Sequence, residues 1–163
     1  MLMNLYHGSY MQVSEPRIIT PARLLDFGTG FYTTTDKEQA TKFTNKFISL
    51  GKDRIVNIYE YNEIKAEKTL SVMRFAKADA EWFRYVVANR SGTGKANDFD
   101  IVIGPVANDR VYDVVENFEL GDYSEEEAIH RLLVFKLTDQ VVFKSEKSLL
   151  YLAYLGYEQI KDK

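Results

Sequence analysis

The chain contains the stretch Leu25-Asp26-Phe27-Gly28-Thr29-Gly30-Phe31-Tyr32-Thr33-Thr34-Thr35, in which two glycines precede two aromatic residues and three threonines. Glycine permits positive φ angles and leaves the main chain open to a close neighbour. In an extended segment Phe31 and Tyr32 point to opposite faces, so one ring enters a core while the other faces a cleft. Threonines favour a strand, and a helix-start signal follows them. The stretch therefore predicts a glycine turn, a strand and a helix N-terminus, although Gly-x-Gly by itself is more often a simple turn than a ligand site.

The composition is that of one globular domain spanning residues 1–163, with 45% hydrophobic and 28% charged residues. The net charge of −3 argues against holding nucleic acid by bulk charge, while a local basic patch stays open. Because the chain has no cysteine, disulfides, zinc-thiolate sites and thiol catalysis are excluded. Its two histidines, His7 and His130, argue against a histidine-based metal site. With neither a signal peptide nor a membrane-spanning apolar run visible, a cytoplasmic protein is expected.

The hydrophobic pattern mixes strands and helices without a regular βαβ alternation. Strands are predicted at residues 2–6, 54–61, 69–73, 99–104 and 140–144, and helices at 36–50, 75–89, 111–118, 124–135 and from Ser145 to about 155. This order predicts an α+β domain with a mostly antiparallel sheet.

Three short motifs follow one another along the chain: Leu5-Tyr6-His7-Gly8-Ser9, Gly28-Thr29-Gly30-Phe31-Tyr32, and Asp139-Gln140-Val141-Val142-Phe143 before a helix. Their combination resembles the ADP-ribosyltransferase superfamily, in the branch shared by diphtheria-type toxins and poly(ADP-ribose) polymerases. That branch carries His-Gly-Ser/Thr on a first strand, Gly-x-Gly-x-Tyr on a second, and an acid opening a late strand. Nearly end to end, the chain also resembles a bacterial family of uncharacterised single-domain proteins usually placed in that superfamily.

The resemblance implies an ADP-ribosyltransferase-like split antiparallel sheet with helical insertions, and NAD as co-substrate. His7 is implied to bond the adenine-side ribose. The Gly8 main chain is implied to hold the nicotinamide carboxamide, supported by Ser9. No metal is required by this chemistry.

The second motif is implied to hold the nicotinamide ring itself. Gly30 belongs to the glycine turn of that motif, and Tyr32 is implied to stack on the ring. Phe43 occupies the place where the family often has a second stacking aromatic residue. Ala40 stands where the family often has a hydroxyl, so one carboxamide bond is absent.

Two arginines, Arg17 and Arg23, lie between the first two motifs. Arginine suits bidentate phosphate contact, so we expect one of them to approach the NAD pyrophosphate. An equally good alternative is that both arginines are solvated charges on a loop, without contact to NAD.

The main departure from the family is Gln140, which replaces the late acid. Glutamine can hydrogen-bond a ribose hydroxyl, but it supplies no full negative charge and no general base. The neighbouring Asp139 should point to the other face of the strand, and Glu146 would have to fold back. The implied catalytic set is therefore His7, Tyr32 and Gln140, with polymer elongation in doubt.

The leading interpretation is an NAD-dependent mono-ADP-ribosyltransferase, a glycosyltransferase that cleaves the nicotinamide–ribose bond. The alternative is a weak or inactive NAD-binding or protein-interaction module of the same fold. The phosphate-removing transferases of the RNA-repair branch fit less well, since they use a second histidine and an arginine where this chain has Tyr32 and Gln140.

The acceptor of the transfer is expected to be an unknown protein or a small molecule. The acids Glu125, Glu126 and Glu127 at a predicted helix start would repel phosphates and disfavour nucleic acid, although they also suit a helix N-terminus on their own. A small cognate regulatory protein is a further candidate partner.

Overall fold

A computed structural model describes residues 2–18, 25–92, 99–106, 109–132 and 137–161. The strands are β1 (Leu2–Ser9), β2 (Phe31–Thr34), β3 (Ile55–Asn62), β4 (Val72–Arg74), β5 (Ile101–Pro105), β6 (Asp139–Phe143) and β7 (Leu152–Gln159). The helices are α1 (Lys37–Phe43), followed by a 3₁₀ helix (Thr44–Phe47), α2 (Glu63–Thr69), α3 (Ala80–Arg90), α4 (Asp109–Glu119), α5 (Glu125–Leu132) and α6 (Glu146–Leu149). Within these ranges, no helix is both long and apolar enough to cross a membrane.

The strands form one seven-stranded sheet in the order β4-β5-β6-β2-β1-β3-β7. Strands β4 and β5 pair in parallel, and the other neighbouring pairs of the described sheet are antiparallel. The prediction of an α+β fold with a mostly antiparallel sheet is therefore confirmed.

Each face of the sheet carries its own apolar core, and strand alternation assigns residues to the two faces. The helical face packs against α3, α4 and α5 through a core that includes Phe27, Trp82, Phe83, Val86, Val102, Val115 and Val142. The opposite face packs against α2, α6 and part of the chain that follows β1, and its core includes Leu5, Phe31, Tyr59, Tyr61, Ile101, Val141 and Phe143. Phe31 is thus a core residue of the opposite face, and the half-buried Tyr32 packs against the core of the helical face instead of facing a cleft.

The sheet consists of two well-paired halves that meet at one position. Strand β1 pairs with β3 along all its residues from Leu2 to Ser9, and β2 pairs with β6 from Phe31 to Thr34. Between β1 and β2, the register contains the single pair Tyr6 and Thr34. Beyond this pair the two strands separate, which leaves a seam through the middle of the sheet.

The two glycines of the quoted stretch serve different purposes. Gly28 has a φ of 77° and its amide donates to the Leu25 carbonyl at 3.0 Å, which closes the predicted turn. A Cβ at Gly30 would lie 2.7 Å from the Val142 Cγ1 and 2.9 Å from the Phe143 carbonyl oxygen. Gly30 is therefore required by the close approach of β6, whereas its φ is not in the left-handed region.

The predicted final helix is wrong beyond its first turn. Ser145 caps it as expected, through a capping box with Ser148, but the helix ends at Leu149. Residues 152–159 instead form β7, which pairs with β3 at the edge of the sheet. Leu150, within the predicted helix but beyond its actual end, is 85% exposed. Pairing with β3 outweighs the helical spacing of Leu149, Leu150, Ala153 and Tyr154, because short apolar runs fit both periods.

Smaller differences concern helix boundaries. The helix predicted at 36–50 is α1 followed by the 3₁₀ helix, and Leu50 beyond them is exposed. The helix predicted from residue 75 begins at Ala80, because the Asp79 carboxylate accepts the Trp82 amide and caps it there. Helix α2 was not predicted, and it moves the strand expected at 69–73 to 72–74. Helices α4 and α5 lie where they were predicted, although 133–136 fall outside the described residues.

Asn57 in β3 is a buried polar centre whose loss should be costly. Its Oδ1 accepts from the Val13 amide at 2.9 Å and the Tyr154 hydroxyl at 3.2 Å, and its Nδ2 donates to the Met11 carbonyl at 3.1 Å. Because Asn57→Ala leaves these groups unpaired, we expect a loss of about 1–3 kcal/mol in the free energy of unfolding. Urea unfolding measures it, with exposed Asn4→Ala as the control. Equal stability of the two variants would remove this role from Asn57.

Candidate functional site

The seam between β1 and β2 is closed by a histidine side chain. The His7 Nδ1 lies 2.7 Å from the Tyr32 carbonyl oxygen, and the His7 ring packs on Phe31 with centroids 4.4 Å apart. Because the carbonyl can only accept, Nδ1 carries the hydrogen, and in the neutral imidazole Nε2 is the acceptor. The arrangement therefore presents Nε2 as a base or as an acceptor for a hydroxyl.

The imidazole of His7 is held neutral by its surroundings. Burial lowers its pKa below the usual value of 6.5, and the positive charge of Lys46 lowers the pKa further. The hydrogen bond to the Tyr32 carbonyl opposes these effects only in part. Near neutral pH, His7 is thus an uncharged hydrogen-bonding group.

The backbone next to His7 is packed tightly against α1. A Cβ at Gly8 would lie 2.5 Å from the Ala40 carbonyl oxygen, 3.1 Å from the Thr44 Cγ2 and 3.2 Å from the Phe43 Cδ1. No side chain fits at this position without displacing the helix backbone. The structure therefore brings Gly8 and Phe43 together, and the Phe43 ring remains 49% exposed.

Tyr32 is anchored by its hydroxyl to the glycine turn. The Tyr32 hydroxyl accepts from the Phe27 amide at 3.0 Å and donates to the Gly28 carbonyl at 2.6 Å. Burial strongly raises the pKa of this phenol, so it stays protonated. The half-buried ring packs against the core of the helical face, and its orientation is fixed by the fold.

Gln140 lies on the same face of the sheet as Tyr32. It is 7% exposed and pairs with Thr34 across β2, so Tyr32 is its diagonal neighbour. Its Nε2 donates to the Pro105 carbonyl at 3.4 Å, and the Trp82 indole donates to the same oxygen at 3.1 Å. The Gln140 amide is therefore enclosed beneath α3.

The remaining expected site residues are less closely gathered. The Ser9 hydroxyl accepts from the Met11 amide at 3.3 Å. Arg17 is exposed, and Arg23 lies outside the described residues. Asp139 is exposed, and alternation along β6 turns it away from the face of Gln140, as expected.

The site residues fall into two groups that meet at the main chain of Tyr32. The ring of His7 lies with Phe31 toward the opposite face, while the side chains of Tyr32 and Gln140 lie on the helical face. The His7–Tyr32 hydrogen bond joins the groups. Any ligand that contacts both must therefore lie across the seam.

Two shallow cavities of the described residues lie away from this seam. One of about 390 Å³ is lined by Leu2, Glu60, Asn62, Lys65, Leu150, Tyr151 and Ala153, and one of about 320 Å³ by Glu67, Leu70, Val72 and Arg74. The described residues bring together no group of three or more His, Asp or Glu suited to a metal ion.

Lys144 is a buried residue that the sequence reasoning did not select. It is 3% exposed, and its Nζ donates to the Phe27 carbonyl at 2.6 Å and to the Tyr85 hydroxyl at 3.3 Å. The main chain of Phe27 and Gly28 binds the Tyr32 hydroxyl. By binding the Phe27 carbonyl, Lys144 therefore stabilises the glycine turn that orients the Tyr32 ring. Strand alternation in the sequence could have identified it, because Gln140, Val142 and Lys144 lie two residues apart and therefore share one face.

The chain matches the model of a known protein family. The family model described as "Protein of unknown function (DUF3990)" matches residues 3–154. No curated protein and no solved structure matches the chain.

The depressed pKa of His7 predicts a pH dependence of stability. Between its folded pKa and 6.5, the unfolded chain binds a proton that the folded chain does not, so stability is lost as the pH falls below 6.5. In His7→Asn an amide can donate to the Tyr32 carbonyl without titrating, and we expect a smaller loss between pH 7 and about pH 5. Urea unfolding across this range measures it. The exposed His130→Asn is the control, and identical pH profiles for both variants would contradict the expectation.

Proposed function

We propose that this chain, which belongs to the family described as Protein of unknown function (DUF3990), is an NAD-dependent mono-ADP-ribosyltransferase. The observation that carries the proposal is the seam between β1 and β2, with His7 and Gly8 on one side and Tyr32 on the other. A split antiparallel sheet with these residues at the split is what the ADP-ribosyltransferase resemblance implies. The same resemblance is the basis for proposing NAD as co-substrate.

The proposed reaction begins with cleavage of the bond between nicotinamide and ribose. The bonding electrons leave with the nicotinamide, and positive charge develops on the sugar as an oxocarbenium-like state. A flat cationic ring is attracted to aromatic faces, which Tyr32 and Phe43 can provide. Main-chain donor and acceptor groups at Gly8 suit the nicotinamide carboxamide.

The proposed role of His7 is to hold the adenine-side ribose. Its neutral imidazole has Nε2 as an acceptor for a ribose hydroxyl, because Nδ1 is committed to the Tyr32 carbonyl. The proposal also assigns the pyrophosphate to Arg17 or Arg23, by the charge and geometry of arginine alone.

Gln140 supports slow, single transfer in this proposal. Its amide can orient a ribose hydroxyl, but it offers no negative charge to the developing cation. An acceptor nucleophile then attacks the sugar carbon and loses its proton to solvent or to another base. In this proposal the activity takes place in the cytoplasm, with a protein or a small molecule as acceptor.

A second candidate function rests on the enclosure of Gln140. A buried amide bonded to the Pro105 carbonyl serves the fold by itself, without any contact to substrate. This observation favours an NAD-binding or protein-interaction module without turnover. Measuring nicotinamide release from NAD separates the two candidates.

Tyr32 offers a test of NAD binding with a matched pair of variants. Tyr32→Phe keeps the ring and removes the hydroxyl bonds to the glycine turn, whereas Tyr32→Ala removes both. If the ring stacks on nicotinamide, Tyr32→Ala should weaken NAD binding by about 1–3 kcal/mol more than Tyr32→Phe, by analogy with base–aromatic stacking. Isothermal titration calorimetry measures both affinities, with circular dichroism to verify folding. Equal NAD affinities of the two variants would end the stacking role.

Gln140→Glu tests the role of the missing acid. A carboxylate at this position should raise nicotinamide release by roughly tenfold to a thousandfold through electrostatic stabilisation. Because burial raises the pKa of such a carboxyl, the gain should increase with pH. Steady-state rates between pH 6 and about pH 9 would measure this, and Asp139→Asn on the other face is the control. If wild type and variant both bind NAD but neither releases nicotinamide, the binding module replaces the enzyme.

A further inference from the structure

An exposed cluster of rings and lysines lies beside the seam, and we call it the aromatic–lysine surface: Tyr10, Phe43, Lys46, Phe47 and Lys52. Tyr10 and Phe43 are 45% and 49% exposed. Phe47 lies buried between them, with centroid distances of 5.5 Å to Tyr10 and 6.3 Å to Phe43. Two large aromatic side chains are therefore exposed to solvent at this surface.

Each exposed ring carries a lysine ammonium. The Nζ of Lys46 lies 3.8 Å from the Phe43 centroid, and the Nζ of Lys52 lies 4.2 Å from the Tyr10 centroid. These are cation–π distances, so positive charge is held at defined positions above the rings. Rings and cations alternate across the surface.

The charge of this region is opposite to that of the whole chain. Residues 37–54 contain five basic and two acidic residues, a net charge of +3, whereas the chain carries −3. Part of this charge is neutralised, because Lys37 contacts Glu158 and Lys42 contacts Glu38. The net positive charge of this region complements a polyanion.

We propose that the aromatic–lysine surface binds single-stranded nucleic acid. Proteins that bind single strands combine a positive surface for the phosphates with aromatic rings on which bases stack. Lys46 and Lys52 supply the first, and their flexible stems let each ammonium move from a ring to a phosphate. Tyr10 and Phe43 supply the second. Duplexes suit the surface less, because their bases are stacked on one another and offer no free ring face.

The surface adjoins the candidate site directly. Phe43 contacts the position where a Cβ of Gly8 would lie, and the charge of Lys46 acts on His7. A strand bound there would reach the seam, so it would be the acceptor of ADP-ribose. This acceptor role rests on the proposed function, whereas the binding itself does not.

The acids that argued against nucleic acid in the sequence lie on another element. Glu125 of α5 contacts Arg84, and Glu127 contacts Arg131, so two of the three charges are locally compensated. Helix α5 packs in the helical-face core with α3 and α4, whereas the aromatic–lysine surface belongs to α1, the 3₁₀ helix, the residue after β1 and the segment before β3. These acids therefore do not decide the acceptor class.

Binding is tested without NAD by fluorescence anisotropy of a labelled single-stranded oligouridine of about 12 nucleotides, within the site sizes of single-strand binders. The double variant Lys46→Ala/Lys52→Ala should reduce the slope of log affinity against log salt by roughly 1.4, or 0.7 for each lost phosphate contact. Tyr10→Ala should weaken affinity about tenfold. Lys65→Ala/Lys68→Ala removes the same charge from exposed positions of α2 and should change neither value.

The outcomes separate this proposal from the enzymatic one. Selective loss in the Lys46/Lys52 variant, with weaker competition by a duplex of equal length, supports the surface. Absence of binding, equal losses in both double variants, or equal competition by the duplex overturns it. Transfer of label from radioactive NAD to the oligonucleotide then tests the acceptor role alone. Strand binding without any NAD binding rejects the proposed function and that acceptor role while leaving the binding surface standing.

Discussion

The hydrogen bond from the His7 imidazole to the Tyr32 carbonyl holds together a sheet whose two halves share one paired position. Strands β1 and β2 meet at Tyr6 and Thr34 and then separate. A side chain takes over where the main-chain ladder stops. The bond also sets the tautomer of the imidazole, whereas burial of the ring and the positive charge of Lys46 hold the imidazole neutral. The same hydrogen bond therefore joins the two halves of the sheet and leaves the His7 Nε2 as the acceptor atom.

The other side of the seam is fixed by a second chain of contacts. Lys144 holds the Phe27 carbonyl, the turn at Phe27 and Gly28 holds the Tyr32 hydroxyl, and the Tyr32 carbonyl receives His7. Each link leaves its side chain in one orientation before any ligand arrives. Such preorganisation lowers the cost of binding, since little conformational freedom remains to be lost.

Gln140 and His7 have structural contacts as well as proposed chemical roles, and the structural contacts limit the chemistry that each can support. Gln140 is enclosed under α3, so a carboxylate there would be desolvated. His7 and Gly8, by contrast, lie beside Phe43 and Lys46, which are exposed. Gln140 is thus enclosed, whereas the residues packed beside His7 and Gly8 include exposed side chains.

Much of the fold class followed from the sequence alone, because local periodicity is encoded in neighbouring residues. Sequence patterns predicted the locations of six of the seven described strands, and alternation along β6 turned Asp139 away from the face of Gln140. The motifs also pointed to His7, Gly8 and Tyr32, which the structure brings to one seam. Their roles toward NAD stay predictions. The tertiary structure alone decided that residues 152–159 form a strand, since an apolar run of that length fits both periods until β3 pairs with it. It also decided the separation of β1 from β2, the burial of Gln140 and Lys144, and the meeting of Tyr10 with Phe47. These features depend on contacts between residues far apart in the chain, and no local pattern specifies which distant strand or ring will be the partner.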